Sequence, residues 1–431
     1  MDIGAASFII FIVTLALIVY LKRENLQFQG VLIMLKTKKL RNSIKKAVKK
    51  YPLFWKSYFA IGIFISFLGM GFGIYFLLFN ALNLLSGFGA PTLSLVFPGP
   101  TSTFSVYPGV LLVPIWFWLI AIVVLIFPHE LSHGLALALN KLRIKSLGVF
   151  LLLFIPGAFV EPDEKQLKKA EKFKKLQVYA AGSFSNIVIG FILVLLFHFF
   201  LFSAFSYQGL KYGYPTQVIN STKIIEINNL SEEMIELKTS EQTYLLSRSL
   251  FELQKNRTWI RVFEDWPAAR NNLSGSIKKV NDVEINSRKD LASILSEHKP
   301  GDTIKIETSE GIYNITLADK NGRAFLGVTP PQEYIHALSI IPSETLVNFI
   351  FPQTYKSYKL EALPENVGNF IYQLIFFVYN VCFGVAIINI LPIKPLDGGF
   401  IIETLTNRRF ANLTSLIFFV LLVFNIVGPW I

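Results

Sequence analysis

The residues best suited to chemistry are His129, Glu130 and His133, which follow an uncharged run from Val110 to Phe127. Residues four apart lie on one face of a helix about one turn apart, so both imidazoles can reach one tetrahedral zinc ion. Glu130 lies beside them and is free to act as a base. This H-E-x-x-H spacing predicts metal-assisted hydrolysis, in which zinc lowers the pKa of a water molecule and a neighbouring carboxylate accepts its proton.

The position of this motif, beside an apolar run, indicates a site inside a membrane. A carboxylate and two imidazoles at membrane depth cost at least about 2.5 kcal/mol each unless they face a cavity or a metal. The alternative is a polar helix end that extends beyond Phe127. Under that alternative, the H-E-x-x-H spacing of the two histidines and the glutamate would be a coincidence.

A zinc site that acts on a substrate usually has three protein ligands and one open position, so a third ligand is needed. The other histidines and the single cysteine are His198, His298, His336 and Cys382. Asp397 is the best candidate, because it follows an uncharged span from Phe370 to Leu391 in a stretch rich in proline and glycine. Prolines interrupt a helix and glycines let backbone approach a metal. The alternative is that Asp397 caps the next helix.

With both motifs in hand, the chain resembles the site-2 protease family of intramembrane zinc metalloproteases. That family carries H-E-x-x-H on one transmembrane helix and N-x-x-P-x-x-x-x-D-G on a later one. The second pattern is matched without a gap by Asn389, Pro392, Asp397 and Gly398. The stretch Ala181–Asn186 is similar to the family's G-x-x-x-N element on the helix between them.

The resemblance implies roles for the matched residues. The zinc ligands would be His129, His133 and Asp397, and the base would be Glu130. Asn186 and Asn389 would contact the substrate peptide at the scissile bond. Asn186 is also a candidate catalytic group, because a buried amide can donate to a developing oxyanion. Its alternative role is a hydrogen bond between helices.

Composition predicts a multi-pass α-helical membrane protein with about six transmembrane helices. Of the 431 residues, 52% are hydrophobic and 14% aromatic, and the mean hydropathy of +0.49 excludes an ordinary soluble domain. The predicted spans are Gly4–Leu21, Tyr58–Leu82, Val110–Asn140, Val178–Phe205, Phe370–Leu391 and Leu413–Trp430.

The net charge of +12 is concentrated next to these spans. Eleven Lys or Arg lie between Lys22 and Lys56, nine lie between Lys141 and Lys175, and Arg408 and Arg409 form a third cluster. Such clusters beside apolar spans mark cytoplasmic loops and argue against nucleic-acid binding. We therefore expect a cell-membrane protein with an outside N-terminus and its zinc site near the cytoplasmic face.

Three regions are expected: an N-terminal membrane region 1–205, an extracytoplasmic region 206–365 and a C-terminal membrane region 366–431. In the middle region, the strand and helix order from about 259 to 330 resembles a circularly permuted PDZ domain, an inserted α+β soluble domain. Gly275-Ser276 replaces the usual Gly-Asp there. This domain would either bind peptides or exclude bulky ectodomains. Residues 211–258 fit neither pattern.

The apolar stretch Leu147–Val160 is interrupted by Pro156 and Gly157 and is too short to predict a span. The family resemblance implies a membrane-embedded β-hairpin or loop near the zinc, which could receive the substrate as an added strand. The alternative is a re-entrant helix.

The predicted function is that of a zinc endopeptidase that hydrolyses peptide bonds within transmembrane segments of membrane proteins, as in regulated intramembrane proteolysis. The expected cofactor is zinc, and the expected partners are a substrate with a transmembrane segment and the lipid bilayer, without nucleic acid. One alternative is a metal transporter, although inverted repeats are not apparent. The other is a catalytically silent binding protein, which would not require Glu130.

Overall fold

The computed structural model describes residues 3–37, 40–86, 93–107, 109–153, 155–255, 257–330 and 356–428. His336 and the predicted end of the last span at Trp430 lie outside these residues. The chain divides into two compact units, one formed by Met1–Leu201 with Asn366–Ile431 and the other by Phe202–Glu365. Each unit is described separately below.

Twelve α-helices are found among the described residues. In chain order they are α1 Ile3–Lys22, α2 Leu40–Lys50, α3 Pro52–Leu85, α4 Ile115–Leu139, α5 Glu164–Lys169, α6 Lys172–Ala204, α7 Arg248–Gln254, α8 Pro267–Arg270, α9 Arg288–Ser296, α10 Glu365–Ile390, α11 Asp397–Leu405 and α12 Arg408–Val427. Six of them, α1, α3, α4, α6, α10 and α12, are long and apolar enough to cross a membrane. Together with the β-sheets they fit a multi-pass membrane protein with a β-rich domain. The number of helices that cross the bilayer stays a prediction.

The described part of the first unit also contains two β-sheets. Its strands are β1 Gln27–Gln29, β2 Leu32–Thr37, β3 Leu95–Gly99, β4 Ser105–Tyr107, β5 Val110–Pro114, β6 Ile144–Leu152 and β7 Ile155–Pro162. One sheet has the order β1-β2-β6-β7 and the other the order β3-β5-β4. The predicted span from Val110 therefore begins as strand β5, and its helix begins only at Ile115. A short apolar run does not distinguish strand from helix by periodicity, which explains the difference.

The stretch Leu147–Val160 forms the β-hairpin of β6 and β7 rather than a re-entrant helix. Leu147 pairs with Val160, and Leu151 pairs with Pro156. Strand β7 is the last strand of its sheet, and an edge strand tolerates proline because one side of its backbone has no strand partner. The interruption at Pro156 therefore does not prevent a hairpin.

Helix α4 is the most buried of the six apolar helices in the described part of the chain. Its first half packs Phe117 and Leu125 into a cluster with Phe377 of α10. Its second half packs Leu135 against Ile44 of α2. Pro128 lies inside α4 without ending it. The H-E-x-x-H motif thus stands on the helix with the most neighbours to fix its position.

The second unit contains the remaining strands. They are β8 Phe205–Leu210, β9 Thr216–Asn220, β10 Ile224–Asn229, β11 Met234–Thr239, β12 Thr243–Ser247, β13 Trp259–Glu264, β14 Ile277–Val280, β15 Val283–Glu284, β16 Thr303–Thr308, β17 Ile312–Thr316, β18 Ala318–Lys320, β19 Arg323–Phe325 and β20 Lys356–Leu360. One five-stranded sheet has the order β10-β11-β12-β13-β9. A six-stranded sheet has the order β17-β16-β14-β8-β20, with β15 paired to β14, and β18 and β19 form a separate pair.

The predicted PDZ-like stretch, about 259–330, does not form a single sheet. Its first strand, β13, pairs with β9 and β12 in the five-stranded sheet. The other four strands of that sheet, β9 to β12, all lie within residues 211–258, which matched no pattern. Alternating apolar residues reveal a strand but not its partner, so this pairing was not predictable. The PDZ-like identity itself stays a prediction.

Helix α9 of the second unit begins with a capping box. The Ser287 hydroxyl accepts from the Asp290 backbone, and the Asp290 carboxylate accepts from the Ser287 backbone. Hydrogen bonds from the Ser287 side chain and from the backbone of Asn286 lower the pKa of the Asp290 carboxyl. This cap stabilises the start of α9 independently of the apolar core.

Candidate metal centre

Two helices that are far apart in the sequence bring three potential metal ligands together. Helix α4 presents His129 and His133 one turn apart, and α11 begins at Asp397. The two Nε2 atoms lie 3.2 Å apart, and each lies 3.5 Å from Oδ2 of Asp397. The structure therefore gathers all three predicted ligand residues into one cluster.

Asp397 reaches this cluster because of how the chain turns after α10. That helix ends at Ile390, and α11 starts at Asp397 with Leu396 as its N-cap and no side-chain capping bond. The alternative role of Asp397 as a helix cap therefore does not apply. Gly398 allows the close packing, since a Cβ there would lie 1.9 Å from the carbonyl oxygen of Ile390.

The ring of His133 is oriented by the backbone of α6. Its Nδ1 lies 2.7 Å from the carbonyl oxygen of Val178. A carbonyl oxygen only accepts, so Nδ1 carries the hydrogen and the lone pair of Nε2 faces the cluster. This is the tautomer in which Nε2 can bind a metal.

The ring of His129 is contacted by Asn186, whose side chain is fully buried. Asn186 Nδ2 lies 3.1 Å from Nδ1 of His129, while Asn186 Oδ1 is buried without a hydrogen-bond partner among the described residues. Exchanging the amide oxygen and nitrogen of Asn186 leaves the shape of the side chain unchanged. In that orientation Asn186 Oδ1 accepts a hydrogen bond from Nδ1–H of His129, and the lone pair of His129 Nε2 is free to bind a metal. Asn186 thus lies at the ring edge away from the cluster and does not line the neighbouring cavity.

Gly182 is a site residue to which the sequence had assigned no role of its own. A Cβ at this position would lie 2.5 Å from Nε2 of His129 and 2.5 Å from Nε2 of His133. Helix α6 therefore approaches the cluster through bare backbone. The signal was present, because Gly182 is the glycine of the G-x-x-x-N element that ends at Asn186.

A cavity of about 460 Å³ opens beside the cluster. Its lining includes all three potential ligands together with Glu130 and Asn389. Glu130 Oε2 accepts a hydrogen bond of 3.0 Å from the backbone N–H of Val160 on β7. The carboxylate is therefore held between the cluster and an edge strand, where it can meet a molecule in the cavity.

The cluster fits a metal ion. Two imidazole nitrogens and one carboxylate oxygen form a zinc donor set, and zinc bonds near 2.05 Å would separate tetrahedral ligand atoms by about 3.3 Å. The observed separations of 3.2 and 3.5 Å agree with that value. Asp397 Oδ2 is buried and accepts no hydrogen bond among the described residues. A bound cation would satisfy this oxygen, which is otherwise costly to bury.

Three of the alternative ligands named from the sequence lie elsewhere, and the fourth, His336, is outside the described residues. His198 uses Nδ1 to bond the carbonyl of Val194 on its own helix. His298 contacts the carbonyl of Ile294 and the side chain of Asn281. Cys382 is buried in the apolar cluster around α4. Within the described residues, none of these side chains belongs to the metal-ligand cluster.

Comparison with known proteins gave one family match and several similar sequences. The model of peptidase family M50 matches residues 117–426, which include all three motifs. A membrane-bound transcription factor site-2 protease homolog of Arabidopsis thaliana is 29% identical over 154 residues, 36% of this chain and 30% of that protein. An uncharacterized protein of Methanocaldococcus jannaschii is 30% identical over 119 residues, 27% of this chain and 28% of that protein. The chain thus matches less than a third of the length of either curated relative.

The family match covers most of the chain and contains the His, His and Asp cluster, the adjacent glutamate and most of the apolar helices. The chain belongs to peptidase family M50, the site-2 protease family of membrane-bound metalloproteases.

Proposed function

We propose that this protein is an intramembrane zinc endopeptidase that cuts transmembrane segments of other membrane proteins, as in regulated intramembrane proteolysis. One observation carries the proposal. His129, His133 and Asp397 converge beside Glu130 on an open cavity, in a unit rich in apolar helices. A metallopeptidase needs this combination of metal ligands, a carboxylate that is not a metal ligand, and a cavity for the substrate.

Each residue has a distinct task in this proposal. His129, His133 and Asp397 hold the zinc ion, which when bound supplies a Lewis acid and a water of lowered pKa. Glu130 accepts the proton of the attacking water and passes it to the leaving amine. The hydrogen bond from Val160 keeps the Glu130 carboxylate at the cavity wall, close to the ligands.

Strand β7 is the proposed binding edge for the substrate. It is the last strand of its sheet, and its residues Phe159 and Val160 line the cavity. An extended peptide can add to such an edge as a further strand, which exposes the carbonyls that a helix would hide. Asn389, which lines the same cavity, would contact the peptide near the scissile bond.

Asn186 is proposed to position His129. An oxyanion donor must reach the substrate, whereas the Asn186 amide is fully buried and contacts the His129 ring. Partners behind metal-binding histidines fix the tautomer and ring orientation. This contact favours the positioning role over the predicted substrate contact and oxyanion role.

The orientation in the cell membrane is also a proposal. The basic clusters at 22–56 and 141–175 support cytoplasmic loops and therefore a zinc site near the cytoplasmic face. Residues 206–365 would then be extracytoplasmic. The partners are a substrate with a transmembrane segment and the lipid bilayer, and nucleic acid is not expected.

The test uses the full chain in proteoliposomes with a model single-span substrate. Glu130→Gln should lower cleavage by about 10³-fold while zinc content stays at the wild-type level. Glu164→Gln on the exposed helix α5 is the matched control and should cleave normally. Undiminished cleavage by Glu130→Gln would rule out the proposed base. Zinc flux in sealed vesicles without cleavage would favour the transporter alternative.

A further inference from the structure

A second large cavity, of about 920 Å³, opens within residues 202–365. We call it the basic cleft and define it by Lys211, Tyr214, Arg257, Trp259, Arg261 and Phe263, all of which line it. None of these residues has a role in the proposed peptidase chemistry. The cleft therefore needs a separate explanation.

One wall of the basic cleft is a face of β13. Trp259, Arg261 and Phe263 alternate along this strand, so their side chains point to the same side of the sheet. Arg261 lies opposite Val218 of the neighbouring strand β9. Trp259 is 61% exposed and Val218 is 56% exposed. Large apolar side chains left this open beside arginines are typical of a protein interaction site.

The charged side chains that line the basic cleft are all cations among the described residues. Arg257 and Arg261 are exposed and line it together with Lys211, and no aspartate or glutamate of the described part of the chain does. The excess of positive charge is confined to the cleft, because residues 202–365 as a whole contain 20 Asp or Glu and 18 Lys or Arg. Arg270 in the same unit is paired with both Asp265 and Glu236. The cleft thus selects for an anionic ligand.

The floor of the cleft is aromatic and uncharged. Tyr214 contacts Phe263 edge-on at 5.1 Å, and the hydroxyls of Tyr212 and Tyr214 each donate to the carbonyl of Leu273 at 2.5 Å. Burial raises the pKa of Tyr214 to about 12, so its phenol adds no negative charge at physiological pH. These rings offer fixed apolar faces to a ligand with aromatic side chains.

The edge of the sheet favours an extended ligand. Among the described residues, strand β9 is the last strand of its sheet, and its exposed residue Val218 lines the cleft. A peptide strand can pair with such an edge while its side chains reach the adjoining face. A compact anion such as inorganic phosphate would leave both the edge and the aromatic floor unused.

We propose that the basic cleft binds an extended acidic peptide segment that carries aromatic side chains. The segment belongs to the soluble part of a protein partner. If the proposed peptidase function holds, that partner is the substrate. The identification of the partner as the substrate therefore rests on the proposed function, whereas the proposed peptide binding does not.

The test is a binding measurement on the full-length Glu130→Gln protein in phosphatidylcholine nanodiscs, so peptide cutting does not enter the result. The probe is a fluorescein-labelled peptide that alternates glutamate with phenylalanine, followed by fluorescence anisotropy. We expect saturable binding that weakens as salt is raised. Adding Arg257→Glu and Arg261→Glu should weaken it by at least about tenfold, because two charge-assisted contacts become repulsive. Trp259→Ala should weaken it independently.

The matched control adds Lys299→Glu and Arg323→Glu, which change two exposed cations outside the cleft lining. This control should bind the peptide like the parent protein, and a lysine-for-glutamate peptide should not bind. Equal affinity of the cleft variant and the parent would overturn the proposal. So would recruitment of anionic vesicles without peptide binding, which would indicate a lipid headgroup site. Because cleavage is not measured, a failure here leaves the peptidase proposal untouched.

Discussion

The metal centre and the basic cleft hold their polar groups in opposite ways. In the metal centre, His133, His129 and Glu130 are largely buried, and each forms a hydrogen bond with a residue of another helix or strand. In the basic cleft, Arg257 and Arg261 are exposed, and no carboxylate of the described residues lines the cavity with them. Chemistry requires a fixed geometry, whereas recognition of a flexible segment requires reachable groups. Substitutions in the metal centre should therefore change zinc affinity or cleavage, whereas substitutions in the basic cleft should change peptide binding.

The largest effect is expected for Gly182→Val. Even a Cβ would lie 2.5 Å from Nε2 of both His129 and His133, so the larger side chain must displace the metal position or push α6 away. We expect zinc affinity to fall by more than about 100-fold, with cleavage lost in parallel. Competition with a zinc chelator measures this. Gly71→Val is the control, since nothing lies within 4 Å of a Cβ there. A wild-type zinc affinity in Gly182→Val would show that the metal centre does not require a residue without a side chain at position 182 of α6.

Asn186→Leu should have the next largest effect. Loss of the contact to Nδ1 of His129 should lower zinc affinity by about 10- to 100-fold, and excess zinc should restore cleavage. An oxyanion donor behaves differently, because its removal lowers kcat by about 10²- to 10³-fold at unchanged zinc affinity. Zinc titration of cleavage separates these outcomes, and the second one would contradict the positioning role.

The site shows what the sequence can and cannot predict. His129 and His133 follow from helix geometry alone, because the side chains at i and i+4 share a face. Asp397 is far away in sequence, and two signals pointed to it: its position in a proline- and glycine-rich stretch after an uncharged span, and the match to a family motif. Gly182 was overlooked because its contribution is the absence of a side chain, which no ligand pattern reveals.

The fold shows a similar division. Long uncharged runs predicted the apolar helices, since length and composition decide whether a segment can span a membrane. The pairing of Trp259–Glu264 with Thr216–Asn220 could not be predicted, because strand partners are set by contacts distant in sequence. The arginines of the basic cleft were missed for the same reason, since only the folded chain brings Lys211 to the same cavity.

Val160→Pro should have a smaller effect, confined to cleavage. It removes the backbone N–H that Glu130 accepts from, on an edge strand that already contains Pro156 and Pro162. We expect cleavage to fall by about tenfold, less than the roughly 10²- to 10⁴-fold loss when an acid or base is removed, because Glu130 itself remains. Zinc content should be unchanged. Val160→Ala keeps the N–H and should cleave nearly normally. If both variants cleave alike, the contact does not position Glu130.

The smallest effect is expected for Ser287→Ala, because Ser287 lines neither the metal-centre cavity nor the basic cleft. Loss of the α9 cap should lower local stability by about 1 kcal/mol. Hydrogen exchange of peptides from α9 measures this change. Zinc content and binding of the acidic peptide should stay at wild-type levels. A loss of zinc in this variant would show that the metal centre depends on the second unit.

The most direct test of the central claim is the metal content of the purified full chain beside that of Asp397→Ala, with Asp163→Ala as the matched control. Asp397 Oδ2 lies 3.5 Å from Nε2 of both histidines, so its removal should leave too few ligands to retain the ion. We predict about one zinc per chain in the wild type and the control, and almost none in Asp397→Ala. An undiminished zinc content in Asp397→Ala would contradict the account.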